Sequence, residues 1–357
     1  MGAVIFAGTG RGVVQLKEEN GQWTIGPRRF MPEWEITQLL VDEKGELFAG
    51  TRGDGVWRQV DKSGEGRTGG WSKPCYGRPG PGKTHAIAVD PQDPDTIYAG
   101  TEPIGLWVTH DGGKNWEPMP SLWAIPAVRE ITYPVPFVEP HVRHIAIDPN
   151  NRDVIYVSLQ VGYLAKSIDR GQSWRIIDGG IDADVHTIIV HPKNPNKLFA
   201  ATGGHGCRQG VTNGKALYTS NDGGETWSPM ATEFSEEYAV PLVMHPADPD
   251  VLFSSVAINP PPLWRGTGGA KARFISTRDG GRSWQQVALP DQRVGPEFPG
   301  AIAFDPQQPE TMYMSTDKGA FYRSDDVGAS WRVVPIDLSK ASELTEIGLS
   351  DMKIFHV

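Results

Sequence analysis

The amino-acid sequence predicts an all-β chain: a seven-bladed β-propeller of four-stranded antiparallel blades, its ring closed by a C-terminal strand that completes blade one. Three observations predict it. A unit of about 50 residues recurs along the chain, a period that marks a repeat architecture. Each unit carries a marker tryptophan (Trp23, Trp71, Trp116, Trp174, Trp227, Trp284 and Trp331), which makes seven. The first unit lacks its opening strand, while the chain runs past the last complete unit into an apolar segment at residues 352–357. A spare strand at one end and an empty slot at the other suit a closed ring; a solenoid needs no such patch.

The best copy, residues 85–119, reads HAIAVDPQDPDTIYAGTEPIGLWVTHDGGKNWEPM. Strand a is AIAV, b is TIYAG, c is GLWVT and d is NWEPM. They are β-branched or aromatic runs bounded by Asp-Pro, Gly and Asp-Gly-Gly turn residues. The blades are expected at residues 3–25 with 351–357, 36–75, 85–119, 144–177, 186–230, 240–287 and 301–334, all within one domain spanning 1–357. The 42 Gly and 30 Pro agree with many turns and few long helices, and 12 Trp supply large faces to bury.

Composition narrows the function classes. A formal net charge of -9 argues against nucleic acid as a partner, because phosphate binding needs a basic face. No apolar run approaches the roughly 18 residues that span a bilayer, so no membrane partner is expected. The chain enters a repeat at once, without a basic start and long apolar stretch, and no secretory leader is expected. Cys75 and Cys207 stand far apart in unlike contexts, which makes no disulfide framework and points to a cytoplasmic home.

At the c–d turn sits Ser/Thr-x-Asp-x-Gly-x-x-Trp, centred on Asp111, Asp169, Asp222, Asp279 and Asp326. The Asp can accept the turn's own amides, the Gly can take positive φ, and the Trp buries an apolar face. These five aspartates read as structural. The motif resembles the BNR or Asp-box repeat of sialidases, sortilin-type receptors, xyloglucan-cleaving glycosidases and photosystem II assembly-factor propellers. That resemblance covers nearly the whole chain and implies the propeller fold; activity does not follow from it. A sialidase would show Arg-Ile-Pro near its start. The nearest strings, Arg28-Arg29-Phe30-Met31-Pro32 and Ala124-Ile125-Pro126, do not fit, and a sialidase is rejected. The xyloglucan enzymes pair two facing propellers with a catalytic Asp from each, and this chain shows one.

The topology sorts the loops. The a–b turns (DPQDPD, DPNNRD, HPKNPN, HPADPD, DPQQPE) and the Asp boxes share one end of the blades and are nearly uniform. Variation concentrates at the other end, in the link 120–142 and the b–c loops 203–215 and 257–271, where function usually resides. Five of nine histidines map there: His85, His141, His144, His186 and His205. Five residues before the turn Asp or His, at the start of strand a, stand His85, Arg143 and His186 in consecutive blades. The same slot holds Thr37, Val240 and Gly300 elsewhere.

His85, His186, His144 and Arg143 are therefore the candidate catalytic residues, with histidine for acid–base work and arginine to grip an anionic group. His85, His144 and His186 could instead hold a divalent metal ion, the one cofactor considered. Candidate substrate contacts are His141, Glu35, Asp184, His205, Trp264, Arg265, Trp123 and Tyr133, with Glu139 and Phe137 nearby. Cys207, beside His205 and Arg208, has the setting of an activated thiol. Two readings compete: a hydrolase- or lyase-type enzyme with a small-molecule or saccharide ligand, and a non-catalytic scaffold gripping a protein partner on the same long-loop face.

Overall fold

The computed structural model describes residues 3–42, 44–60, 70–132, 139–204, 214–336, 338 and 351–356. Seven four-stranded antiparallel sheets form a seven-bladed β-propeller, each sheet ordered a-b-c-d. Strand a is Ile36–Val41 in blade two, Lys83–Asp90 in three, Val142–Asp148 in four, Val185–Val190 in five, Tyr238–Met244 in six and Pro299–Phe304 in seven. Blade one takes its strand a from the chain end. Asp351–His356 pairs antiparallel with Ala3–Thr9, matching Ile5 to Ile354 and Ala3 to His356. Among the described residues no helix is long and apolar enough to cross a membrane.

Two compact units organise these blades, residues 1–39 with 233–357 and residues 40–232. In the second unit, Tyr98, Leu106, Val142, Ile145 and Ile155 pack together between blades three and four. Tyr156, Ile188, Leu198, Tyr218 and Trp227 do the same between four and five. In the first unit, Ile5, Leu16, Tyr313 and Phe321 join blades one and seven. Strand b is covered on both faces, so it reads as a continuous apolar run without alternation: LFAGT, LFAAT and MYMST are buried at every position. The outermost strand d shrinks to two residues in blades two, three, six and seven, which leaves little open edge to pair with another chain.

The Asp box behaves as the sequence predicts. In blade three the Asp111 carboxylate accepts from Thr109 Oγ1 at 2.8 Å, the Asn115 amide at 2.9 Å and Asn115 Nδ2 at 2.6 Å. Asp169, Asp222, Asp279 and Asp326 each repeat that set with a Ser or Thr partner. Side-chain and amide donors from Ser173 and Thr226 hold Asp169 and Asp222 down to about 2. Each box also donates a main-chain N–H to its own blade's a–b turn: Gly112 to Asp95, Arg170 to Asp153, Gly223 to Asn196, Gly280 to Asp250 and Val327 to Glu310. Those bonds place both turn sets at one end. His191 and His245 stand in for the turn aspartate, each Nδ1 accepting a following amide at 3.1 Å as Asp90 does at 2.9 Å.

The expected strand boundaries differ in a telling way. Strand a begins one or two residues earlier than the repeat alignment placed it in blades three to seven, because pairing resumes beyond a β-bulge. The register shifts between Thr84 and Ala86, Val142 and His144, Val185 and Thr187, Ala239 and Leu242, and Pro299 and Ala301. The skipped residues include His85, Arg143, His186, Val240 and Gly300, the slot singled out by counting.

Candidate functional site

A bulge residue leaves the ladder, and the bend re-aims its side chain. Three consecutive bulges in the unit of residues 40–232 therefore deliver His85, Arg143 and His186 to the b–c and d–a end of their blades. Around them lie Glu102, which ends its strand b, the residues that follow strand b in the neighbouring blades (Arg52, Gln160 and Gly203), and the links carrying His141 and Asp184.

Glu102 is the hub. Its buried carboxylate accepts from Lys83 Nζ at 3.2 Å and faces Arg52 Nη2 at 3.4 Å. His85 Nε2 lies 2.8 Å from Glu102 Oε2. Burial raises the Glu102 pKa, but Lys83, His85 and Arg52 outweigh it and hold the group below its ordinary value. An ionised Glu102 can only accept, so Nε2 of His85 donates and Nδ1 carries the lone pair. Burial, then the positive charge of Arg52, lowers His85 to about 4. The His141 ring stacks on His85 with centroids 3.8 Å apart and planes 24° from parallel. Burial, then Arg143, pushes His141 down to about 2, so both rings are neutral at pH 7.

Arg143 bridges to a second group. Its Nε lies 3.8 Å from Asp184 Oδ1, while Asp184 Oδ2 is 3.3 Å from His186 Nε2. Gly203 is required here: a Cβ would sit 2.3 Å from Asp184 Oδ2, and the Gly203 amide donates to the Asp184 carbonyl at 2.7 Å. The acids and cations are exposed unequally. The side chains of Glu102 and Asp184 are 7% and 4% exposed, against 39%, 49% and 25% for Arg52, Lys83 and Arg143. Within these ion pairs the cations are the more exposed partners.

Several sequence candidates land differently from expectation. The ligand atoms of His85, Glu102 and His141 lie within 4.8 Å of one another, the one such group among the described residues, so the expected metal trio of His85, His144 and His186 is not assembled. His144 pairs opposite Ser158 one step beyond the bulge, which separates it from His85. To bind a divalent cation, the trio that does assemble would have to unstack its imidazoles and detach Lys83 and Arg52 from Glu102. The His186 side chain is 1% exposed, with Nε2 beside the Asp184 carboxylate.

Trp264 lies on the helix Pro261–Thr267, where its ring packs on Phe298 at 5.2 Å and its N–H donates to the Asn259 carbonyl at 2.7 Å. That indole is partly buried against a local core with Tyr238 and Phe298. Arg265 and Glu35 are exposed in the unit of residues 1–39 and 233–357, and Trp123 is exposed in the link after blade three. Glu139 contributes its backbone carbonyl, which favours a protonated His141 against the larger effect of burial. His205, Cys207, Arg208, Tyr133 and Phe137 lie outside the described residues. Sequence reasoning missed Glu102, Arg52 and Lys83. The signal existed: the repeat column that follows Thr51, Thr101, Leu159 and Thr202 reads Arg52, Glu102, Gln160 and Gly203, as variable as the strand a slot.

The fold and the repeated turn together define a class: this is a seven-bladed propeller of BNR/Asp-box repeats. The BNR/Asp-box repeat model matches residues 107–118, and the model described as "Sortilin, neurotensin receptor 3" matches residues 162–287. Curated relatives are xyloglucan enzymes. A probable oligoxyloglucan-reducing end-specific xyloglucanase of Neosartorya fischeri is 27% identical over 158 residues, 42% of this chain and 17% of that protein. A xyloglucanase of a Paenibacillus species is 26% identical over 216 residues, 54% of this chain and 20% of that protein. The chain thus spans about a fifth of the relatives' length.

Among solved structures, the GH74 enzyme of Niastella koreensis superposes with a TM-score of 0.61 at 15% identity, covering 84% of this chain and 45% of that one. YCF48 from Cyanidioschyzon merolae superposes at 0.51 and 17% identity, covering 85% and 88%. Likeness at this identity establishes the fold.

Proposed function

We propose that the chain is a glycosidase-like enzyme, a hydrolase or lyase, acting on a polar saccharide-like substrate at the b–c and d–a end of blades three to five. The observation that carries this reading is the run of three bulges aiming His85, Arg143 and His186 into one charged group. The segments similar to xyloglucanases support a saccharide as the ligand class. Glu102 fixes the His85 tautomer, as a carboxylate does for a general base, and the ring stays neutral with its Nδ1 lone pair available across the neutral pH range. Arg143 supplies the charge that anchors or polarises the substrate, with Asp184 3.8 Å behind it and His186 beside Asp184. Ile258 and Leu263 are exposed on the variable loop 257–271, and they favour a second reading: a scaffold that grips a protein there.

A panel of neutral and acidic oligosaccharides tests the first reading, with binding followed by calorimetry and products by chromatography. Wild-type protein is expected to bind and convert at least one of them. The variant carrying His85→Ala and His186→Ala should fold but lose that activity. Equal activity in the double variant, or no saccharide binding in the wild type, would hand the site to the scaffold reading.

A further inference from the structure

Resting on the saccharide reading above, the geometry points to a carboxylate-bearing sugar, a uronate-type residue, as the unit this site takes, with Arg143 as its anchor and Arg52 and Lys83 flanking it. Three observations lead there. Within the ion pairs Arg52, Lys83 and Arg143 reach solvent, whereas their partners Glu102 and Asp184 are buried. A ligand arriving from water meets positive charge first, although the whole chain carries a formal net charge of -9. Arg52 and Lys83 converge on the one Glu102 carboxylate, and Arg143 stands 3.8 Å from Asp184.

Arg143 itself is under-partnered. Its Nε is buried without a hydrogen bond among the described residues, and the Asp184 oxygen at 3.8 Å lies beyond bonding distance. Other arginines in the chain close on their carboxylates: Arg152 on Asp90 at 2.6 Å, Arg273 on Glu236 at 2.5 Å and Arg323 on Glu18 at 2.8 Å. The bulge withholds Arg143 from such a contact and leaves its side chain a quarter exposed, so one edge of the guanidinium can meet a ligand. A planar carboxylate matches that edge with two parallel bonds, which a tetrahedral sulfate or phosphate does less well. The neutral imidazole of His85 stands beside it as an uncharged hydrogen-bonding partner for a sugar hydroxyl.

Calorimetry with the full chain tests this, using a uronate oligosaccharide, its methyl ester, a sulfated oligosaccharide and a neutral glucan oligosaccharide. The ester keeps the shape and removes the charge. In wild-type protein the acid is expected to bind about 10- to 100-fold more tightly than the ester, the worth of a charge-assisted contact. In Arg143→Met the acid and ester should bind alike, and Arg143→Lys should recover part of the preference. Thermal melting checks that each variant folds; should Arg143→Met not fold, the intermediate preference of Arg143→Lys decides. Equal binding of acid and ester by wild type, with neutral-sugar binding that His85→Ala abolishes, overturns the carboxylate assignment and leaves the saccharide reading standing. Tighter binding of the sulfated sugar also overturns it. Absence of binding to every sugar overturns both.

Discussion

The two ends of the blades spend their charged residues in opposite ways. At the Asp-box end each carboxylate is surrounded by donors from its own turn, and the arrangement repeats from blade three to blade seven with nearly the same distances. At the b–c and d–a end of blades three to five, charges come from different blades and no two blades contribute alike: Glu102 gathers Lys83, Arg52 and His85, while Asp184 faces Arg143 and His186. Local turn chemistry builds the first end, and each box closes within eight residues. Tertiary packing alone assembles the second. A region whose polar groups are satisfied locally has no need of a ligand. A region that buries carboxylates behind exposed cations carries a charge pattern that a ligand can complete.

The largest effect that should separate the two ends is on stability. Trp227 is buried between blades four and five with its N–H on the Gly224 carbonyl at 3.0 Å. Trp227→Ala should cost about 3–5 kcal/mol in urea unfolding, as removal of a buried aromatic does. His85→Ala, by contrast, should leave the unfolding midpoint almost unchanged and abolish ligand binding. A small cost at Trp227, or a comparable cost at His85, would erase the distinction.

A smaller effect tests the box itself. Asp222→Ala removes the acceptor of the Thr226 amide and hydroxyl and should destabilise the protein by about 1–2 kcal/mol, on the scale of a lost cap, without affecting ligand binding.

Acid should dissect the ends in sequence. His85 has a folded pKa of about 4 against an ordinary 6.5, so the stability tied to its neutral ring is complete above 6.5 and is lost as pH falls through 4. Asp169 and Asp222 are held near 2, so their contribution survives that range and disappears only as pH falls from the ordinary carboxylate value through 2. Ring resonances of His85 in NMR should therefore titrate before the Asp-box turns lose amide protection; simultaneous loss would contradict two independent ends.

The smallest effect concerns backbone strain. Arg170 and Val327 occupy the first Gly position of their boxes at φ 58° and 53°, where other boxes carry Gly. Arg170 is exposed, and its surface pairing with Asp153 is worth little. Arg170→Gly should thus change stability by less than about 1 kcal/mol, in the stabilising direction. A clear loss in thermal melting would show that the Asp153 contact outweighs the strain.

The repeat, the seven blades and the Asp-box turns were legible in the sequence, because each is fixed by short-range chemistry: turn residues, β-branched runs and a periodic tryptophan; the closing strand was legible as the spare strand matching the empty slot of the first unit. Counting back from the turn Asp also found His85, Arg143 and His186, since a repeat keeps positions in register even where a bulge interrupts pairing. What lay beyond counting was which side chains meet. His85 joins Glu102 and His141, with His144 left out of that group, because a bulge re-aims one residue and returns the next to the ladder. Trp264 turns inward onto Phe298, a choice made by the apolar surface available to it. Exposure of Arg52, Lys83 and Arg143 in front of buried acids likewise depends on how neighbouring blades pack. Local chemistry is written in contiguous residues, whereas a charged site drawn from four blades is set by distances between segments far apart in the chain, and only the folded structure sets those.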